Sequence, residues 1–142
     1  ALKYEDIVES GFNIEVDIPE EEMEIKIDKV QLQRVFDNIL GNSIKHNEKG
    51  TNIYVSLKEK NDIYEIIIAD DGKGISKDIA NNIFEAFTVG DESRNSKQGS
   101  GLGLAIAKTI VDLHGGTIEL EPESLKKFST QFKIILKKNL KL

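Results

Sequence analysis

Residues 98–116 read QGSGLGLAIAKTIVDLHGG. Glycines at 99, 101 and 103 run straight into LAIAKTIVDLH, whose apolar residues recur at helical spacing as far as His114. Each glycine costs a helix up to ~1 kcal/mol relative to alanine, so three at its threshold require a reason. They do not make a Walker loop, because no Gly-Lys-Ser/Thr follows at the right spacing. Nor do they fit Gly-x-Gly-x-x-Gly after a strand, since polar residues precede them. What both motifs share still applies here. A helix N-terminus offers unpaired N–H groups and partial positive charge, and residues without side chains let phosphate oxygens come close. A tight turn packed on a sheet would use the same glycines, and the residues alone leave both readings open. The helix is predicted from about Gly101 to His114. Gly115–Gly116 supplies a left-handed cap, and His114 opposes the dipole at that end.

On the upstream side, TVGDESRNSKQGS (88–100) has almost no apolar side chains and predicts a mobile loop. Arg94 and Lys97 lie in it, placed to close over a polyphosphate as a lid, although exposed cations on an acidic chain are also simply solvated. Downstream, TIEL (117–120) and TQFKIILKK (130–138) predict the last two strands. NIYVSLKE and IYEIIIAD predict a hairpin around Lys60–Asn61–Asp62. FNIEVDI (12–18) alternates like a half-buried strand, and EIKI (24–27) reads as a second short one. Asp28 then caps a helix from about Lys29 to His46, and DIANNIFEAF (78–87) predicts a short helix. Helices and strands mix without strict βαβ alternation, which predicts helices on one face of a mixed sheet.

The chain's 142 residues suit a single domain with a real core, and 39% hydrophobic content with mixed charge argues for a globular one. A net charge of −6 is the wrong sign for a general nucleic-acid binder or for contact with an anionic membrane. Without cysteine there are no disulfides and no thiolate metal sites. An anionic ligand must therefore be held by a few cations, backbone N–H groups or a metal ion.

Two further stretches carry chemistry. In VFDNILGNSIKHN (35–47), Leu32, Val35, Phe36, Ile39 and Ser43 fall on one stripe of a helical wheel. Asn38, Asn42 and Lys45 cluster beside it, and His46 projects between the two groups. Amide oxygens suit Mg²⁺, which takes the rest of its shell from phosphates and water, and a lysine one turn on reaches phosphate as a point charge. The same residues would also serve as an ordinary solvated face. In IIIADDGKGIS (66–76) an apolar run ends in acid and then Gly-x-Gly. A carboxylate at the end of a buried strand can accept from an exocyclic amine, and Asp70 is the better candidate, with Asp71 facing outward. Gly72 and Gly74 would let backbone approach a flat ring, or would merely form a turn.

The order Asn-x-x-x-Asn, Asp-x-Gly-x-Gly, loop, Gly-x-Gly-Leu-Gly-Leu is far more specific than any one part. It resembles the ATP-binding catalytic domain of sensor histidine kinases, within the Bergerat-fold ATPase and kinase superfamily, from about Phe12 to Leu136. NILGNSIKH matches the asparagine box, DDGKGI the first glycine box, IFEAF the phenylalanine box and GSGLGLAIAKTIVDLHGGTI the second glycine box. The resemblance implies an α/β (α+β) two-layer sandwich whose mixed, mostly antiparallel sheet carries helices on one face. It implies ATP and Mg²⁺ as ligands. Asn42 with Asn38 would hold the metal, Lys45 would meet phosphate, and His46 would take the place of an aromatic over the nucleotide. Asp70 would accept the adenine amino group, with Gly72, Gly74 and Ile75 beside it. Gly101, Leu102, Gly103 and Leu104 would bring backbone to the triphosphate, and Arg94 would be a lid cation. The family's third box, Gly-x-Gly-Thr-x-Phe, is altered here to KFSTQF (127–132), which keeps Thr130 and Phe132 without either glycine.

Hydrolysing relatives place a glutamate four residues before the metal-binding asparagine, and here that residue is Asn38. An amide is no general base, so transfer to another acceptor is favoured over hydrolysis. The expected acceptor is a histidine in a separate helical dimerisation domain, with a response regulator downstream. No His-Glu/Asp-x-x-x-Pro motif is present in 1–142, which reads as one catalytic domain, cytoplasmic and compatible with a membrane-anchored sensor. An anti-sigma-factor-type protein-serine kinase, or a nucleotide-binding module without catalysis, would share these boxes.

Overall fold

The structure, a computed structural model, describes residues 4–18, 28–85, 103–121 and 128–138. The elements in chain order are α1 (Tyr4–Glu9), β1 (Asn13–Asp17), α2 (Lys29–His46), β2 (Asn52–Lys60), β3 (Ile63–Asp70), α3 (Lys77–Ala80), α4 (Gly103–Leu113), β4 (Thr117–Leu120) and β5 (Thr130–Lys137). The strands form one sheet in the order β1-β2-β3-β5-β4. β1 runs parallel to β2 and every other neighbouring pair is antiparallel. The mixed, mostly antiparallel sheet is as expected. The predicted strand 24–27 lies outside the described residues.

Alternation along the strands makes one face of this sheet apolar. Ile53, Val55 and Leu57 of β2, Tyr64, Ile66 and Ile68 of β3, and Phe132, Ile134 and Leu136 of β5 are all buried. Against them pack Val35 and Ile39 of α2 and Leu104, Ala107, Ile110 and Val111 of α4. The period-3.6 stripe of each helix therefore meets the period-2 face of the sheet.

Local chemistry sets the ends of these elements. Asp28 Oδ1 accepts from the N–H groups of Val30 (2.8 Å) and Gln31 (3.2 Å), so α2 starts where its cap predicts. The β2–β3 hairpin turns at Asn61, whose φ of 48° is a left-handed conformation that asparagine tolerates. At the end of α4 the His114 Nδ1–H donates to the Ile110 carbonyl at 2.7 Å, and Gly115 turns at φ 75°. A Cβ on the next residue, Gly116, would stand 2.4 Å from the Ile135 carbonyl oxygen and 3.1 Å from Val111 Cγ1. Gly116→Ala should therefore push β4 away from the core. We expect a loss of about 1–3 kcal/mol, the usual range for overpacking, read as a lowered thermal-unfolding midpoint.

Three expectations need correction. α1 has no counterpart in the sequence reading, yet its Ile7 is buried. Of the helix expected over 78–87, the described part is regular at Lys77–Ala80 and continues as turns to Glu85, with Asn82 and Ile83 donating to carbonyls three residues back, and 86–87 lie outside the described residues. β1, expected to be half-buried, is an edge strand on which only Ile14 is partly covered and Val16 is 47% exposed.

Candidate functional site

Asp70 closes β3, a central strand, and is only 1% exposed. Its Oδ2 accepts from the Ser43 hydroxyl of α2 at 2.9 Å, and its Oδ1 from the Gly72 N–H at 3.0 Å. Burial pushes the carboxyl above the ordinary range; the Gly72 and Ser43 donors pull it back in part, and the Asp71 charge raises it further. Asp71 behaves oppositely. It is exposed, and its two oxygens accept from Asn52 Nδ2 (2.7 Å) and the Asn52 N–H (2.8 Å), which hold its carboxyl below the ordinary range. One acid of the pair is therefore a buried acceptor at the sheet end, and the other is a surface tie to β2. Thr130 lies directly across from Asp70 in the β3–β5 register and is buried, although the glycines of its box are absent.

The first glycine loop fits tightly under the end of α2. A Cβ on Gly72 would stand 2.0 Å from Asn47 Oδ1, so only glycine fits while that amide is in place. Gly74 sits at φ 79°, where a side chain would be strained, and Ile75 packs against the core. Lys45, His46 and Asn47 face Gly72 and Lys73 across a cavity of about 540 Å³, within the size range of small-ligand sites. Burial lowers the affinity of His46 for a proton, and the charges of Lys73 and Lys45 lower it further, so its surroundings favour the neutral ring.

Asn38 and Asn42 lie one turn apart on α2, both half-buried, and among the described residues neither amide has a hydrogen-bond partner. A Cβ on Gly103, the first residue of α4, would lie 3.6 Å from Asn38 Oδ1. The amide chosen from sequence as a metal ligand thus stands beside the helix start chosen for phosphate. Uncommitted amide oxygens beside a helix start suit a divalent cation carried in on phosphates. Leu104 follows Gly103 and is buried, which anchors that helix start to the core. Arg94, Gly101 and Leu102 lie outside the described residues.

Sequence reasoning missed three residues. Ser43 was placed on the core stripe, but its hydroxyl serves Asp70. Asn47 accepts from the Lys73 N–H at 3.1 Å and donates to the Ser43 carbonyl at 2.9 Å, so it ties the asparagine helix to the glycine loop. Lys73 adds a cation at the cavity. A hydroxyl on an otherwise apolar stripe was the one visible signal. The other two depend on contacts between separate elements.

Residues 27–140 match the family described as histidine kinase-, DNA gyrase B-, and HSP90-like ATPase. Sensor histidine kinase YvrG of Bacillus subtilis (strain 168) is 37% identical over 128 residues, which cover 90% of this chain and 22% of YvrG. Mycobacterial sensor histidine kinase MprB superposes with a TM-score of 0.73 at 29% identity, over 92% of this chain and 84% of that one. The catalytic domain of histidine kinase ThkA gives 0.78 over 94% and 85% at 21% identity, a likeness of fold. The match over most of the chain means that the chain belongs to the histidine kinase-, DNA gyrase B- and HSP90-like ATPase family, and the relatives it resembles here are named sensor histidine kinases.

Proposed function

We propose that this chain binds Mg²⁺·ATP and presents the γ-phosphoryl group to a histidine in a separate helical dimerisation domain, from which a response regulator is then phosphorylated. The observation that carries this reading is Asp70, a buried acceptor set at a sheet end within reach of α2 and the glycine loop. An adenine amino group supplies the donor that such a carboxylate needs. Asn42 and Asn38 would hold Mg²⁺, which when bound neutralises phosphate charge. Lys45 would add a point charge, and the N–H groups at the start of α4 would cradle phosphate oxygens. His46 in its neutral form would cover the nucleotide. Asn38 cannot take a proton from water, which favours transfer over hydrolysis. Neither histidine of the chain suits the acceptor role: His46 lines the cavity and His114 is bonded to the Ile110 carbonyl. The chain spans 22% of YvrG, so the acceptor domain is assigned to the rest of such a protein. No helix among the described residues is long and apolar enough to cross a membrane.

The test is a calorimetric titration of this chain with ATP and GTP, with Mg²⁺ and in EDTA. Binding of ATP in preference to GTP, strengthened by Mg²⁺, is expected. Equal binding of both nucleotides, or no heat with either, would remove the reading.

A further inference from the structure

Three consecutive peptide units follow Asp70, and each is gripped. The unit joining Asp70 to Asp71 is held at its carbonyl by the Ser129 hydroxyl at 3.1 Å and at its N–H by the Asn52 carbonyl at 3.2 Å. The unit joining Asp71 to Gly72 gives its N–H to Asp70 Oδ1. The unit joining Gly72 to Lys73 is held at its carbonyl by the same Ser129 hydroxyl at 2.7 Å and at its N–H by Asn47 Oδ1 at 3.1 Å. The one hydroxyl proton of Ser129 is thus shared between the carbonyls of the first and third planes, closer to the third, and the second plane, held between them, aims the donor that orients the carboxylate. The backbone of Ser129 also seats the loop, since a Cβ on Gly74 would come within 3.4 Å of the Ser129 carbonyl oxygen. In KFSTQF, Ser129 stands where the resembling box has its second glycine, which offers no hydroxyl.

We infer that Ser129 is a positioning residue for purine selection, holding the loop that aims the Asp70 carboxylate at the base. The inference rests on the adenine reading of Asp70. Adenine offers an amino donor at the ring position where guanine offers a carbonyl oxygen. An ionised carboxylate attracts the first and repels the second, but only while it cannot swing away. A hydroxyl shared between two carbonyls of a glycine-rich loop supplies that restraint.

The experiment titrates the wild-type chain, Ser129→Ala, Ser129→Thr and Asp70→Asn with Mg²⁺·ATP, Mg²⁺·GTP and magnesium tripolyphosphate. Ser129→Ala should raise the Kd for ATP about five- to tenfold, the worth of one hydrogen bond to a placed loop, and lower the ATP-over-GTP preference by a similar factor. Tripolyphosphate binding should not change, and Ser129→Thr should restore most of the loss. Unchanged ATP affinity in Ser129→Ala would overturn the proposal. So would an equal weakening toward ATP and tripolyphosphate, which would mark a general loosening of the domain. If Asp70→Asn alters selectivity and Ser129→Ala does not, only the role of Ser129 falls. If the wild type shows no preference for ATP, the adenine reading falls and takes this proposal with it.

Discussion

Asp70→Asn should weaken ATP binding by about 1–3 kcal/mol, roughly five- to 150-fold in Kd, while leaving the nucleotide-free domain at least as stable as the wild type. The two halves have one cause. Ionised Asp70 is buried, and its two protein donors offset that burial only in part. Asparagine is close to isosteric and can keep both bonds, with Oδ1 accepting from the Gly72 N–H and Nδ2 donating to a rotated Ser43 hydroxyl. It carries no charge to desolvate, so the free domain loses nothing by the change. Toward adenine, however, it offers an amide donor or a single shared acceptor where the amino group needs a committed acceptor. Acid should affect binding in the same direction. The folded domain holds the Asp70 proton more tightly than the unfolded chain does. Its contribution to stability is therefore most favourable below the unfolded carboxylate value and is lost as pH rises through the higher folded one. ATP affinity runs the other way and falls as pH drops through that folded value, because protonation removes an acceptor. Thermal melts and ATP titrations from mildly acidic to neutral pH check both limbs. The stability gap in favour of Asp70→Asn should open as pH rises, and the acid-side loss of ATP affinity should be flatter in the variant. A variant that matches the wild type in affinity and pH profile would show that Asp70 does not touch the base.

Much of the frame was legible because it is local. Asp28 caps α2, Asn61 turns the hairpin and Gly115 ends α4, each for reasons contained within a few residues. The contrast between Asp70 and Asp71 was also readable, since strand alternation puts consecutive residues on opposite faces. What escaped depends on distant partners. Six residues cannot hold a helix by propensity, so α1 exists because Ile7 docks in the core. The alternation of β1 is real, but its parallel pairing at the sheet edge leaves Val16 exposed, and no window of sequence reports which strand will be last. In the candidate site, Asn42 and Asp70 stand out as candidates by residue type and spacing. Ser43, Asn47 and Ser129 reach Asp70 and the glycine loop through contacts 26 to 59 positions away, and of the three only the Ser43 hydroxyl on its apolar stripe gives a local sign of the role.

Asn42→Ala should erase most of the affinity that Mg²⁺ adds for ATP, on the order of tenfold to a hundredfold, while the Kd measured in EDTA stays at the wild-type value. The separation follows from where Asn42 stands. It lies on α2, one turn before His46 and one turn after Asn38, and among the described residues its amide is committed to nothing. The proposed adenine recognition by Asp70 and phosphate contacts at the start of α4 belong to other elements, so they should survive its removal. Stability supplies the independent check. Alanine is a better helix residue than asparagine by up to ~0.7 kcal/mol, and no described hydrogen bond is broken, so the melting temperature of the free domain should hold or rise. A side chain that costs its helix free energy, has no structural partner and matters only with a divalent cation present is acting as a ligand. Should Asn42→Ala instead melt lower and bind ATP more weakly to the same degree in Mg²⁺ and in EDTA, the amide would be a structural member of α2 and the metal would have to be held by other groups.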